Sequence, residues 1–204
     1  RVQALGINMD VVCQGIFMVG EVHEPIRDTK NPQEKVQYGF SYNGRPKGVM
    51  FDYKADVGHE IIRGTGFSKL KHMGESDCAE VVIILQKRWE DEEGRIHALR
   101  VGTGIERYTQ SVCEWQNGHF VKINYGDISG EQYYRDYMGL ITKPDKIHYA
   151  TNSRGKRVKV IEEGWACAGE EPNWMIMNFL SSAGDAFYGG VGNVLWIDNV
   201  KVIE

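Results

Sequence analysis

What most constrains this chain is a series of strand-length apolar runs, repeated from one end to the other and separated by clusters of Gly, Asn, Asp and Pro. The runs fall at residues 9–19, 35–42, 47–55, 79–89, 95–103, 111–116, 119–125, 145–151, 157–165, 173–180 and 193–203. No stretch sustains the i, i+3, i+4 spacing of an amphipathic helix through three turns. The pattern predicts an all-β fold of two antiparallel sheets packed face to face, a β-sandwich. Between Val112-Cys113-Glu114-Trp115 and Phe120-Val121-Lys122-Ile123 stands Gln116-Asn117-Gly118, and Asn-Gly there predicts a tight hairpin because it supplies positive φ angles. At 204 residues the chain fits one domain spanning 1–204. One region, about 127–172, is longer and more polar than an ordinary connection and gathers Tyr133, Tyr134, Tyr137 and Tyr149, so it reads as an elaborated loop with short strands of its own.

The chain closes on a Gly-rich loop, Ser181 to Gly192, that runs into apolar residues reaching the C-terminus. This predicts a last strand covered on both faces. Asp198 shares its period-2 parity with Val194, Trp196, Val200 and Val202, and a carboxylate on an apolar face must be hydrogen-bonded, paired or bound to a cation.

The run Ser181-Ser182-x-Gly184-Asp185-x-Phe187-x-Gly189-x-x-Gly192-x-x-Leu195-x-x-Asp198-Asn199 resembles the closing signature of the putative carbohydrate metabolism domain family, found on surface proteins of Gram-negative gut anaerobes. Arg45-Pro46-Lys47-Gly48-Val49-Met50-Phe51-Asp52-Tyr53-Lys54 is similar to that family's early Arg-Pro strand, and Asp77 to Leu85 to its central Asp-plus-aliphatic strand. With Val101-Gly102-Thr103-Gly104, the similarity covers about the C-terminal four fifths of the chain. The resemblance sharpens the fold to a jelly roll of the carbohydrate-binding-module, galactose-binding-like type. It implies an oligo- or polysaccharide partner and an extracytoplasmic place, as a cell-surface outer-membrane lipoprotein whose anchor lies upstream of Arg1. It also implies a structural Ca²⁺ beside the terminal strand, for which Asp185, Asp198 and Asn199 offer hard oxygen donors. Two readings without metal stand beside this: Asp198 accepts hydrogen bonds from backbone amides, and Asp185 after Gly184 is a turn residue.

Several function classes lack the chemistry they need. A net charge of −4 with both signs interspersed gives no basic patch for a phosphate backbone, so nucleic acid is not an expected partner. No apolar run approaches the roughly 20 residues of a membrane helix, and residues 1–20 lack the layout of a signal peptide. Cys13, Cys78, Cys113 and Cys167 show no zinc spacing; Cys78 and Cys113, in or beside predicted strands, read as small core hydrophobes. The six His are dispersed, no Gly-x-Ser-x-Gly elbow occurs, and Gly102-Thr103-Gly104 reads as a strand end rather than a dinucleotide loop. Glu90-Asp91-Glu92-Glu93 reads as a solvated hairpin tip.

Sugar-binding jelly rolls present exposed aromatic rings to the C–H face of a pyranose, ringed by amides and carboxylates. Trp115, Trp165 and Trp174 with Tyr133, Tyr134 and Tyr137 are the candidate platform, while Trp89 and Trp196 read as packing residues. The leading expectation is a noncatalytic carbohydrate-binding module. Its rivals are a glycoside-active enzyme, with Asp127, Glu131 and Asp136 facing Glu170 or Glu171 at about 5–10 Å, and a protein-binding adhesion or assembly module.

Overall fold

The computed structural model describes residues 2–4, 7–23, 32–66, 68–143 and 146–204. The described residues form β1 (Val2–Ala4), β2 (Ile7–Met9), β3 (Ile16–Met18), β4 (Gly20–Val22), β5 (Val36–Tyr38) and β6 (Phe40–Ser41) in the N-terminal quarter. The central part contributes β7 (Gly48–Asp56), β8 (Glu60–Arg63), β9 (Lys71–Ser76), β10 (Ala79–Glu90), β11 (Ile96–Tyr108), β12 (Val112–Lys122) and β13 (Asn124–Tyr125). The remainder adds β14 (Tyr149–Thr151), β15 (Arg157–Trp165), β16 (Trp174–Leu180), β17 (Tyr188–Gly190) and β18 (Val194–Ile203), and the only helical turns among the described residues are two short 3-10 segments, Pro32–Lys35 and Asp136–Met138.

Two sheets make the sandwich. The larger runs β14-β15-β11-β10-β16-β3, with β13 also on β11 and β6 on β16; the smaller is β12-β7-β18. Period-2 alternation drives their contact. Along β10, Ala79, Val81, Ile83 and Leu85 face inward, and along β7, Val49, Phe51, Tyr53 and Ala55 meet them, with Val101, Met175, Met177 and Phe179 completing the core. Aromatic edges interlock at its centre, where Phe51 and Phe179 lie T-shaped at 5.0 Å. The all-β sandwich expected from the sequence is the fold observed.

The three segments that carried the family resemblance are joined in space. The Arg45–Lys54 segment runs into β7, which pairs antiparallel with β18. Buried Asp77 accepts the Gly190 N–H at 2.6 Å through Oδ2, and those of Cys78 at 2.8 Å and Ala183 at 3.3 Å through Oδ1, tying the Gly-rich loop to the start of β10. Arg45 donates to the carbonyls of Ala168 and Glu170 and sits 4.2 Å over the Tyr125 ring. The resemblance therefore falls on residues that hold the sandwich closed.

Several expectations are corrected. Asn117-Gly118 makes no hairpin: β12 runs unbroken through it, and Gly118, at φ 66°, sits in a β-bulge against β7. The bulge is held because the Gly118 N–H donates to Asp52 Oδ1 at 2.7 Å. Asp198 is not on an apolar face. A bulge at Asn199, φ 52°, resets the parity of β18, so that Leu195 and Ile197 before it and Val200 and Val202 after it pack inward while Trp196 and Asp198 face solvent. Cys113 is likewise exposed rather than core; all four cysteines are free thiols, and Cys78 is half-buried. The segment ending at Gly104 continues as strand to Tyr108, with Gly102 demanded by close approach, since a Cβ there would lie 2.7 Å from Ile123 Cγ2. The run 9–19 divides into β2 and β3 around an irregular stretch, 35–42 divides at Gly39, and residue 145 of the run 145–151 lies outside the described residues. Strands β8, β9 and β17, short and poorly alternating, escape the sequence pattern.

Candidate functional site

The outward face of β12-β7-β18 is open to solvent and carries the most conspicuous exposed aromatic residues. Met50, Asp52, Lys54 and Asp56 project outward along β7, opposite in parity to the core residues between them. Trp196 pairs directly with Lys54 across the β7–β18 ladder. The Lys54 ammonium lies 4.7 Å from the Trp196 ring centroid and 5.5 Å from that of Trp115, so one cation sits between two indoles that are 40% and 42% exposed. Trp196, expected to pack, is exposed for the reason already given: the bulge at Asn199 lies beyond it, and parity counted back from Leu195 and Ile197 turns it outward. Phe120, beside Met50 in the ladder, and Val194 extend the exposed apolar surface.

Polar groups lie next to the indoles. Asp52 accepts the Asn199 Nδ2–H at 2.7 Å as well as the Gly118 N–H, and these two hydrogen bonds hold its carboxyl below the ordinary carboxylate range. Asp198 Oδ1 accepts its neighbour's backbone N–H, Asn199 to Asp198, at 2.7 Å. The Asp185 carboxylate takes the Lys146 ammonium at 2.6 Å. The three residues named for a cation are thus each engaged by protein groups, and no cluster of three or more His, Cys, Asp or Glu side chains able to hold a metal occurs among the described residues.

The remaining aromatic candidates lie elsewhere. Trp174 is on the large sheet, donating Nε1–H to the Tyr38 carbonyl at 3.0 Å, with Arg88 4.4 Å over its ring. Tyr137 packs with Met138 and Ile141 on Ile84, Ile105 and Ile176, beneath Arg107 at 4.3 Å. Trp165 lies 5.5 Å from the Arg100 guanidinium, Tyr133 is exposed, and Tyr134 is half-buried. Trp89, expected in the core, is 40% exposed and stacks on His97 at 5.5 Å. Only Trp115 of the six expected platform residues sits on the small sheet's outer face, and its companions there, Trp196 and Lys54, are identified by structure alone.

The other face of the large sheet is polar at its centre and covered by residues 136–141, with His148 beside Tyr38. A bulge in β11 between its partners of Leu85 and Gln86 turns Arg100 onto the face that carries Gln86. Fully buried Arg100 forms a two-pronged ion pair with Glu162, Nε to Oε1 and Nη2 to Oε2 both at 2.7 Å. Burial raises the Glu162 pKa, but the Arg100 charge and hydrogen bonds from Arg100, Gln86 and the Ile141 N–H outweigh it, and the net shift is downward. Arg100 also donates to the Met138 and Gly139 carbonyls at 3.3 Å, so the pair pins the covering loop.

Two cavities accompany these surfaces. One, about 490 Å³, opens at the Gly-rich loop among Val12, Cys13, Gln14, Phe17, Ser182 and Asn193. The second, about 220 Å³, is a cleft lined by Gln37, Arg88, Trp89, Glu90, Thr151 and Trp174, with Ile96 and Ala150. Neither is lined by Asp127, Glu131, Asp136, Glu170 or Glu171. Asp127 caps the Ser129 N–H at 2.9 Å, and Glu170 lies 3.7 Å from the Lys87 ammonium. The acidic run after β10 forms the expected turn, with Asp91 accepting from Arg95 and from the N–H groups of Glu93 and Arg95.

No protein-family model matches the sequence, and neither does any curated protein. Solved structures do match the fold. A putative glycoside hydrolase from Bacteroides thetaiotaomicron superposes with a TM-score of 0.55 at 18% identity, over 93% of this chain and 47% of its own. A putative glycoside hydrolase from Bacteroides vulgatus gives 0.53 at 14%, over 93% of this chain and 64% of its own. The chain therefore spans roughly half to two thirds of the length of these neighbours and shares their all-β sandwich architecture.

Proposed function

We propose that this chain is a noncatalytic carbohydrate-binding module acting at the cell surface. The observation that carries the reading is the solvent-open pair Trp115 and Trp196 on one sheet face, separated by Lys54 and bordered by Asp52, Asp198 and Asn199. Two indoles on a flat β-surface offer the apolar planes on which the C–H faces of sugar rings stack, and the adjoining ammonium, amide and carboxylates offer hydroxyl partners. The fold shared with Bacteroides proteins described as putative glycoside hydrolases supports a carbohydrate context, as does the resemblance of the closing run to the putative carbohydrate metabolism domain. A binding module is favoured over a hydrolase because the five carboxylates that would serve an enzyme are solvated or capped and line neither cavity. In this reading an outer-membrane anchor holds the module where polysaccharide is met, and a structural Ca²⁺ beside the terminal strand would have to displace Lys146 from Asp185 or the Asn199 N–H from Asp198.

The test is a glycan array spanning plant, mucin and bacterial glycans, probed with the purified chain in Ca²⁺ and in chelator. Saturable capture of a related set of glycans is the expected result. Silence in both conditions refutes the module and transfers the exposed tryptophans to a protein partner.

A further inference from the structure

The covered face of the large sheet holds one more guanidinium than its carboxylates neutralise. Glu162 is committed to Arg100. Arg88, two residues beyond Gln86 on the same face of β10, reaches that pair only by relay: its Nε–H donates to Gln86 Oε1 at 2.8 Å, and Gln86 Nε2–H donates to Glu162 Oε1 at 2.8 Å. Although the side chain as a whole is partly exposed, Arg88 Nη1 and Nη2 are buried and have no hydrogen-bond partner among the described residues; the same is true of Nδ1 of half-buried His148. A buried guanidinium with its fork unmatched is costly. Burial pushes the Arg88 pKa down to about 9, and burial together with the Arg88 charge pushes His148 down to about 3. The Trp174 ring, 4.4 Å from Arg88 Cζ, compensates only the guanidinium face, leaving its edge free.

Arg88 and Trp174 both line the cleft of about 220 Å³. The one carboxylate in that lining, Glu90, is occupied: Oε1 accepts from Ser153 Oγ at 2.7 Å and Oε2 from the Ser153 N–H at 2.8 Å. We propose that this cleft is an oxyanion site, in which Arg88, stacked on Trp174, turns its buried Nη edge outward into the cleft to take a carboxylate or a sulfate through its paired N–H groups. The fork of a guanidinium matches two oxygens of such a group. The same chemistry belongs to a free inorganic anion and to an acidic sugar. This site lies on the other sheet from Trp115 and Trp196 and does not rest on their role.

The experiment is a titration of the ¹⁵N-labelled chain with sodium D-glucuronate, sodium sulfate and D-glucose, at ionic strength held constant with chloride. Saturable shifts of the Trp174 indole N–H signal with an oxyanion and none with glucose are expected. A response to glucuronate well above that to sulfate identifies a sugar acid as the carrier; an equal or stronger response to sulfate identifies the free anion. Arg88→Lys, which retains the charge and loses the fork, should weaken binding at least tenfold. Silence with both anions in the wild-type chain, an equal response to glucose, or undiminished binding by a folded Arg88→Lys would overturn the proposal.

Discussion

Single side chains on the covered face of the large sheet decide whether its polar row is an asset or a defect. Glu162→Gln removes the partner of a fully buried guanidinium, and breaking a buried pair from one side costs about 3–5 kcal/mol. For a chain of this size that lowers Tm on the order of 10 °C, measurable by calorimetry. Asp77→Ala strands the buried Gly190 N–H, a donor worth about 1–3 kcal/mol, loosens the half-buried N–H groups of Cys78 and Ala183, and should release the Gly-rich loop to proteolysis before the core melts. His148 sets an acid limit. Its folded pKa of about 3 lies below the ordinary value near 6.5, so the unfolded chain binds the extra proton and stability is lost as pH falls from about 6.5 towards 3. The slope from this one group approaches 1.4 kcal/mol, roughly, per pH unit. Urea midpoints at pH 7 and pH 5 should differ less in His148→Gln than in the wild-type chain; equal differences would remove His148 from the account. None of these roles is visible in sequence, because spacing assigns a residue to a face without showing what covers that face.

At the scale of elements, two bulges explain most of what the sequence misread. Asn117-Gly118 has the chemistry of a hairpin turn, but Gly118 is held at φ 66° inside β12 by the Asp52 carboxylate of the neighbouring strand, a partner 66 residues away. Asn199 at φ 52° breaks the period of β18, and counting parity across it placed Asp198 inside and left Trp196 among the packing residues. Gly118→Ala puts a side chain into the left-handed region and should cost about 1–2 kcal/mol, with β12 losing hydrogen-exchange protection around the bulge. Asn199→Gly keeps that backbone conformation while deleting the bond to Asp52, so its smaller loss isolates the clasp from the strain. Strands β7, β10 and β15 were legible because their alternation is long, and β16 and β18 because they are apolar runs of strand length between turn residues. β8, β9 and β17 were not, because three to six residues with weak alternation carry no period to read.

The whole molecule is a sandwich whose closing signature is architectural: Arg45, Asp77 and the Gly-rich loop fasten the sheets, and the exposed aromatic strip lies on the strands they fasten. The sandwich was legible from run lengths and turn residues, whereas the strip was half legible, with Trp115 found and Trp196 misplaced by the bulge. Lys54 gave no sequence signal at all, since its place between two indoles exists only across three strands. The most direct measurement is calorimetric titration of the best array glycan into the wild-type chain and into Trp115→Ala/Trp196→Ala, after circular dichroism and Tm show that the double variant is folded. Saturable binding by the wild-type chain, weakened at least tenfold, or about 1.4 kcal/mol, by the double variant is the predicted result. Undiminished affinity in the folded double variant would contradict it.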